Sequence, residues 1–196
     1  MFTGIIQEKG KVINFARGIL EISTNLDLSD CKLGSSICCN GVCLTVTEIN
    51  IISNSYQFKT NVGEETMLRT TFSENLFNKI KPINLEKSLK IGDEIGGHFV
   101  YGHIDTITNI KDIIKLDNSW EFHFEKNFNK NNKYITEKAS ISINGISLTI
   151  ARVTEKNFMI SIIEHTYNNT NLKYLNLNSK VNIEFDYLAR FIFKDE

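Results

Sequence analysis

Net charge is what this chain lacks first: 22 Lys and Arg against 23 Asp and Glu leave −1 at pH 7, with a sequence pI near 6.4. Without a basic footprint there is nothing to neutralise a phosphate backbone, which excludes nucleic acid as a partner. No apolar run approaches the roughly 18 residues that a membrane span requires. The opening residues Met1-Phe2-Thr3-Gly4 carry neither a basic stretch nor an apolar leader, which predicts a cytoplasmic protein. The four cysteines, Cys31, Cys38, Cys39 and Cys43, crowd into one segment with no second Cys or His cluster to complete a zinc site. No metal is expected. The thiols read as reduced, most of them small apolar fillers and one a candidate for reactivity. The Asn- and Lys-rich run from Asn127 to Lys133 reads as compositional bias and receives no role.

What is present is a repeat within 196 residues, 41% of them hydrophobic, enough for one large domain or two small ones. Residues 36–46 read SICCNGVCLTV and residues 140–150 read SISINGISLTI. The pairs Ser36/Ser140 and Thr45/Thr149 stand the same 104 positions apart (140 − 36 and 149 − 45). Each copy places Asn-Gly between strand-like runs, the signature of a tight hairpin. ETMLRTTF at 65–72 parallels HTYNNTNL at 165–172, and Gly4-Ile5-Ile6 parallels Gly102-His103-Ile104. Three pairs in one order point to gene duplication.

Alternating runs such as Leu20-Glu21-Ile22, Tyr56-Gln57-Phe58 and Val181-Asn182-Ile183-Glu184-Phe185 are strand signals. About six strands per half favour small closed barrels, which leave no exposed edge. The expected fold is all-β: two tandem six-stranded β-barrels related by internal duplication, over 1–97 and 98–186, and a short C-terminal helix in an oligomerisation tail, 187–196. Weaker helical signals lie at Glu65–Phe72, Lys126–Glu137 and Tyr187–Phe193.

MFTGII, NGVCLTV, DEIGGHFVYGHID, NGISLTI, the EHT of SIIEHT and the closing VNIEFD together resemble riboflavin synthase, in that family's order and over nearly the whole chain. The resemblance implies two lumazine-binding barrels and a cofactor-free dismutation. Two molecules of 6,7-dimethyl-8-ribityllumazine give riboflavin and 5-amino-6-(D-ribitylamino)uracil, the last step of riboflavin biosynthesis. It also implies a homotrimer whose sites form between the N-terminal barrel of one protomer and the C-terminal barrel of the next, and association with lumazine synthase. A non-catalytic lumazine- or flavin-binding protein of the same fold is the alternative. The thiol of NGVCLTV and the histidine of GGH, which a pure binder does not need, favour the enzyme. No G-x-G-x-x-G fingerprint supports a flavin reductase.

Carried over by position, the resemblance assigns to the N-barrel pocket Gly4, Ile5 and Ile6, Cys43, Leu44 and Thr45, Asn61, Val62, Gly63, Glu64, Glu65 and Thr66, and Gly96, Gly97 and His98. To the C-barrel pocket it assigns Lys138, Ser147, Leu148 and Thr149, and Ser161, Ile162, Ile163, Glu164, His165 and Thr166. Hydroxyls and main-chain groups suit a pteridine edge and a ribityl chain. The catalytic candidates are Cys43, as nucleophile toward ring carbon 7, His98, as proton carrier for the 7-methyl group, Ser36, assisting hydration, and Asp186, orienting a proton carrier. Each also has a plain reading: Cys43 as a buried filler, His98 as a structural histidine, Ser36 as an exposed strand residue, Asp186 as a turn residue. His103 stands evenly between ligand contact and simple hydrogen bonding. Cys43 becomes Ser147 in the second half, and GGH has no counterpart there, so the two pockets are similar but not equivalent. Two departures stand out: Glu164 replaces the family's usual proline, and the trimerising helix is represented only by Tyr187–Glu196.

Overall fold

The computed structural model describes residues 1–73 and 82–193. Its first half contains β1 (Glu8–Ala16), β2 (Ile19–Thr24), β3 (Ser36–Cys39), β4 (Val42–Ile52), β5 (Ser55–Asn61), helix α1 (Glu64–Arg69) and β6 (Ile83–Lys87). The second half repeats the sequence of elements: β7 (Thr106–Lys115), β8 (Ser119–Glu125), β9 (Ser140–Ile143), β10 (Ile146–Val153), β11 (Asn157–Ile163), α2 (Glu164–Asn169) and β12 (Lys180–Phe185), followed by α3 (Tyr187–Ile192). Each half closes into an antiparallel barrel. The first runs β1-β2-β5-β4-β3-β6, and the second has the same order with every label advanced by six. Even the bulges recur, between Val12 and Asn14 and between Ile110 and Asp112, and again between Val46 and Glu48 and between Ile150 and Arg152. Such bulges bend strands tightly enough to close a small barrel. The expected fold class is what the chain adopts. The expected helix at Lys126–Glu137 is only a 3₁₀ turn, Asn129–Tyr134. No described helix is long and apolar enough to cross a membrane.

Alternation along the strands fills the interiors. In β4, Leu44 and Val46 point inward and Thr45 and Thr47 outward. The first core gathers Leu20, Ile22, Phe58, Phe72 and Leu85, and the second Phe122, Phe124, Phe158, Ile183 and Phe185. Burying side chains of this size contributes roughly 1.5–3 kcal/mol each. The two interiors are packed separately.

The barrels meet at their Asn-Gly turns. Asn40 and Gly41 have φ of 47° and 84°, and Asn144 and Gly145 have 47° and 80°, the left-handed pair that a type I′ hairpin demands. A Cβ on Gly41 would stand 2.8 Å from the Gly145 nitrogen, so glycine is required by contact as well as by φ. Buried asparagines surround this contact. Asn84 Nδ2 donates to the Asn144 carbonyl at 3.0 Å and Asn182 Nδ2 to the Asn40 carbonyl at 2.9 Å. The Asn171 amide nitrogen donates to Asn84 Oδ1 at 2.6 Å and the Thr71 amide nitrogen to Asn182 Oδ1 at 2.8 Å. Satisfied polar groups of this kind fix one register where an apolar seam would tolerate several.

Candidate active site

The candidate groove of each barrel is the outward face of its fourth strand. In β4, Cys43 and Thr45 face out; Ser36 lies opposite Thr45 and Cys38 opposite Cys43 across the hairpin. In β10, Ser147 and Thr149 face out, with Ser140 opposite Thr149 and Ser142 opposite Ser147. Leu44, Val62, Leu148 and Ile162 give their side chains to the cores, so they can serve a groove only through their main chains. From the ends of β5 and β11 into the helices that follow, residues 61–66 and 161–166 show the same order of exposure, with Val62 and Ile162 buried and Thr66 and Thr166 half-buried. Both stretches enter short helices whose first turns carry acid: Glu64 and Glu65 in one, Glu164 in the other. Glu164, Ile163 and His165 are exposed, so the charge that replaces proline there faces solvent.

The wall over each groove comes from the other barrel. The Cys43 amide donates to the Gly102 carbonyl at 3.0 Å, and a Cβ on Gly102 would stand 2.5 Å from Cys43 Cβ. In the second groove the Ser147 amide donates to the Gly4 carbonyl at 2.8 Å, and a Cβ on Gly4 would stand 2.6 Å from Ser147 Cβ. Ile6 packs on the second core and Ile104 on the first. Gly4 and Gly97–His98, grouped from sequence with the N-barrel residues, stand beside Ser147 of the second barrel, and Gly102 takes the corresponding place beside Cys43 of the first. Strand spacing within each half could not reveal this exchange, because it depends on how the halves dock.

His98 Nδ1 lies 2.7 Å from Ser147 Oγ, and the His98 amide donates to the Thr3 carbonyl at 3.1 Å. A Cβ on Gly97 would stand 2.1 Å from that same carbonyl and 2.7 Å from Ser147 Cβ, which explains the glycine. Gly96 borders Ile5. Burial pushes the His98 imidazole below its ordinary value, opposed by the negative charge of Asp186. Asp186 also caps α3, accepting from the Leu188 amide at 3.0 Å. Its plain reading as a structural residue and its place facing His98 therefore coexist. Cys43 is half-buried, whereas Cys38 and Cys39 are fully buried and desolvation pushes both thiols up, as expected of packing residues. Lys138 holds a left-handed φ of 68° where the first half has Gly34 at 88°.

Sequence reasoning passed over Glu86 and Glu184. Glu86 accepts from the Thr3 and Gly4 amides at 2.7 and 3.0 Å, and Glu184 from those of Tyr101, Gly102 and His103 at 2.6, 2.8 and 3.0 Å. The signal was available, since Asn84-Leu85-Glu86 and Asn182-Ile183-Glu184 are a further repeat, 98 positions apart (184 − 86).

A family model described as the lumazine binding domain matches twice, at residues 3–88 and 101–186. A riboflavin synthase of Actinobacillus pleuropneumoniae is 40% identical over 98% of this chain and 88% of its own length. The chain belongs to the riboflavin synthase family. Two further family members, from Brucella abortus and Escherichia coli, are 38% and 35% identical over 97% and 95% of this chain and 96% and 87% of theirs. Among solved structures, LumP complexed with riboflavin superposes with a TM-score of 0.77 over 94% of this chain and 99% of that one. At 22% identity this is a likeness of fold. LumP complexed with 6,7-dimethyl-8-(1'-D-ribityl) lumazine gives 0.74 over 94% of this chain and 98% of its own. Family membership accounts for the two matching grooves: each lumazine-binding match contains one fourth-strand wall and one glutamate-held segment.

Proposed function

We propose that this member of the riboflavin synthase family catalyses the dismutation of 6,7-dimethyl-8-ribityllumazine. One molecule gives up a four-carbon unit and leaves as 5-amino-6-(D-ribitylamino)uracil; the other accepts it and becomes riboflavin. The observation that carries this reading is a pair of grooves alike in frame and unlike in chemistry, Cys43 beside Ser36 and Thr45 in one and the His98–Ser147 pair in the other. A reaction with one donor and one acceptor needs such a pair.

In the first groove Cys43 adds to ring carbon 7 of the acceptor and Ser36 assists hydration. In the second, His98, neutral near pH 7, carries protons to and from the acidic 7-methyl group. Asp186 orients the resulting imidazolium. Thr45, Thr149 and Lys138, with the main chains of 63–66 and 162–166, take the ring edges and ribityl hydroxyls. The grooves of one chain lie on separate barrel walls, so face-to-face stacking of two lumazines calls for the N-barrel of one protomer and the C-barrel of another. Exposed Leu188, Phe191 and Ile192 on α3 support a homotrimer built through the tail. Holding two flat rings in register can supply on the order of 7–11 kcal/mol. Four free thiols suit a reducing cytoplasm, and lumazine synthase is the partner that this reading implies.

Incubation with the lumazine alone, followed by absorbance and fluorescence, tests the reading. Riboflavin at half the substrate consumed supports it; tight binding without riboflavin would leave a carrier of the same fold.

A further inference from the structure

Each barrel closes with a strand whose penultimate residue is a buried glutamate, and among the described residues neither forms a side-chain ion pair, although the charge of the N-terminus reaches Glu86. Glu86 on β6 and Glu184 on β12 are 2% and 4% exposed. Burying an isolated carboxylate costs several kcal/mol unless hydrogen bonds satisfy it. Here main-chain amides do so. Glu86 Oε1 accepts from the Thr3 amide and hydroxyl at 2.7 and 2.8 Å, and Oε2 from the Gly4 amide at 3.0 Å. Glu184 Oε1 accepts from the Tyr101 amide at 2.6 Å, and Oε2 from the Gly102 and His103 amides at 2.8 and 3.0 Å. The held segments then leave their own barrel. The Gly4 carbonyl receives the Ser147 amide and the Gly102 carbonyl receives the Cys43 amide.

We propose that Glu86 and Glu184 are crossed positioning residues: Glu86, a residue of the first barrel, sets the groove of the second, and Glu184 of the second sets the groove of the first. Each carboxyl group holds two or three successive amides in one orientation. The carbonyl of Gly4 or Gly102 is thereby aimed at the fourth strand of the opposite barrel, two residues before the outward-facing Thr149 or Thr45. The geometry also makes the two controls unequal. Glu184 has a third amide, from His103, and the Tyr101–Asp105 stretch is tied to α3 by the Asp105–Arg190 ion pair and by Tyr101 against Tyr187, ring centroids 4.7 Å apart. Glu86 has instead the Thr3 hydroxyl, and its segment carries the His98 amide on the Thr3 carbonyl. Disturbing Glu86 therefore loosens the His98–Ser147 pair, and disturbing Glu184 loosens the main chain at Cys43.

Glutamine has nearly the same shape but turns an NH₂ group toward amides that need an acceptor, so Glu86→Gln and Glu184→Gln break the clamp without emptying the site. The roles rest on the assignment of the grooves as the two lumazine sites. The primary readout, peptide-resolved amide hydrogen exchange of the full chain at pH 8, is independent of turnover. Glu86→Gln is expected to speed exchange at 144–150 at least tenfold while 40–46 stays as in the parent. Glu184→Gln is expected to do the reverse. The steady-state rate on 6,7-dimethyl-8-ribityllumazine should fall at least tenfold in both. Should Glu86→Gln fail to fold, Thr3→Val, which removes the hydroxyl bond to Glu86 and the long 3.4 Å bond from the Ile5 amide but keeps both main-chain bonds to the carboxyl group, is expected to show the same exchange pattern at about threefold. Faster exchange confined to the barrel that carries the substitution, or spread evenly over both, would overturn the crossed assignment. A parent protein that makes no riboflavin but whose variants show the crossed exchange would sink the catalytic reading and leave the positioning role standing.

Discussion

His98 is the residue whose environment says most about its chemistry. Its ring is largely desolvated, is held by Ser147 Oγ at 2.7 Å and has a depressed proton affinity that Asp186 partly restores. A histidine with a lowered pKa stays neutral below the usual 6.5 and is ready to accept a proton at physiological pH. If it is the base, the turnover rate should hold as pH falls through 6.5 and drop only below that. Asp186→Asn, by removing the charge that raises His98, should move this limb lower still. A kcat-versus-pH profile of parent and variant reads both, and an unmoved limb would detach Asp186 from His98. His98→Ala should cut kcat by about 10²–10⁴ with a smaller change in affinity, the range for losing a general acid–base group. Cys43→Ser should slow turnover while fold and lumazine affinity persist; unchanged turnover would remove the thiol from the reaction. Glu184 titrates in the opposite direction from a salt-bridged carboxylate. Desolvation, against the pull of three amides, pushes it up to about 7. A carboxyl group raised in the folded state binds its proton more tightly there than in the unfolded chain, so its contribution to stability is largest below pH 4.5. That contribution declines as pH rises toward 7, by on the order of 3 kcal/mol. Chemical denaturation from pH 4 to 8 should show that slope in the parent and a shallower one in Glu184→Gln. At this scale the sequence singled out Cys43, Ser147 and the paired threonines by motif and repeat together, and His98 by the GGH motif alone. It could not disclose which wall His98 belongs to, because the bond to Ser147 spans 49 positions and crosses the barrel interface.

At the scale of elements the hairpins were the most legible part. Asn-Gly between β-branched runs specifies a positive φ at both turn positions, and no other local structure uses that pair so well. The helices were less so: Lys126–Glu137 has few apolar residues at helical spacing, and what forms is a 3₁₀ turn over Asn129–Tyr134, packed through Phe128, Tyr134 and Ile135 onto the second core. Polar composition without a stripe cannot hold an isolated helix. The same turns that were easy to read carry a second requirement that was not visible. Gly41 and Gly145 also touch each other across the interface, each Cβ position lying 2.7–2.8 Å from the other's main-chain nitrogen. Alanine at either site meets a left-handed φ and that contact together. Gly41→Ala and Gly145→Ala are each expected to cost about 2 kcal/mol or more, measured by chemical denaturation. By contrast Gly34→Ala, with nothing within 4 Å of its Cβ position, should show the φ penalty alone. Equal losses at all three would mean that the barrels do not depend on the turn contact.

Across the whole molecule, duplication produced two barrels that are alike inside and different at their rims. Each barrel packs its own core. Exposed apolar side chains occur in both halves, at Leu33, Ile51, Leu68 and Ile91 in the first and Ile163 in the second, and also on the tail: in α3, Leu188 is 67% exposed, Phe191 65% and Ile192 75%, while Arg190 turns back to pair with Asp105. A six-residue helix cannot be stable by itself, and here the ion pair and the Tyr101–Tyr187 contact hold it with its apolar face turned outward. If that face builds the trimer, replacing Leu188 and Phe191 with aspartate should leave each barrel folded and each groove able to take lumazine. Sedimentation velocity should then report a monomer, and riboflavin formation should fall by at least a hundredfold, because no second barrel faces the first. The separation matters: loss of turnover in a protein that still sediments as a trimer would place the tail in the site itself. A monomer with full turnover would mean that one chain can stack two lumazines between its own grooves.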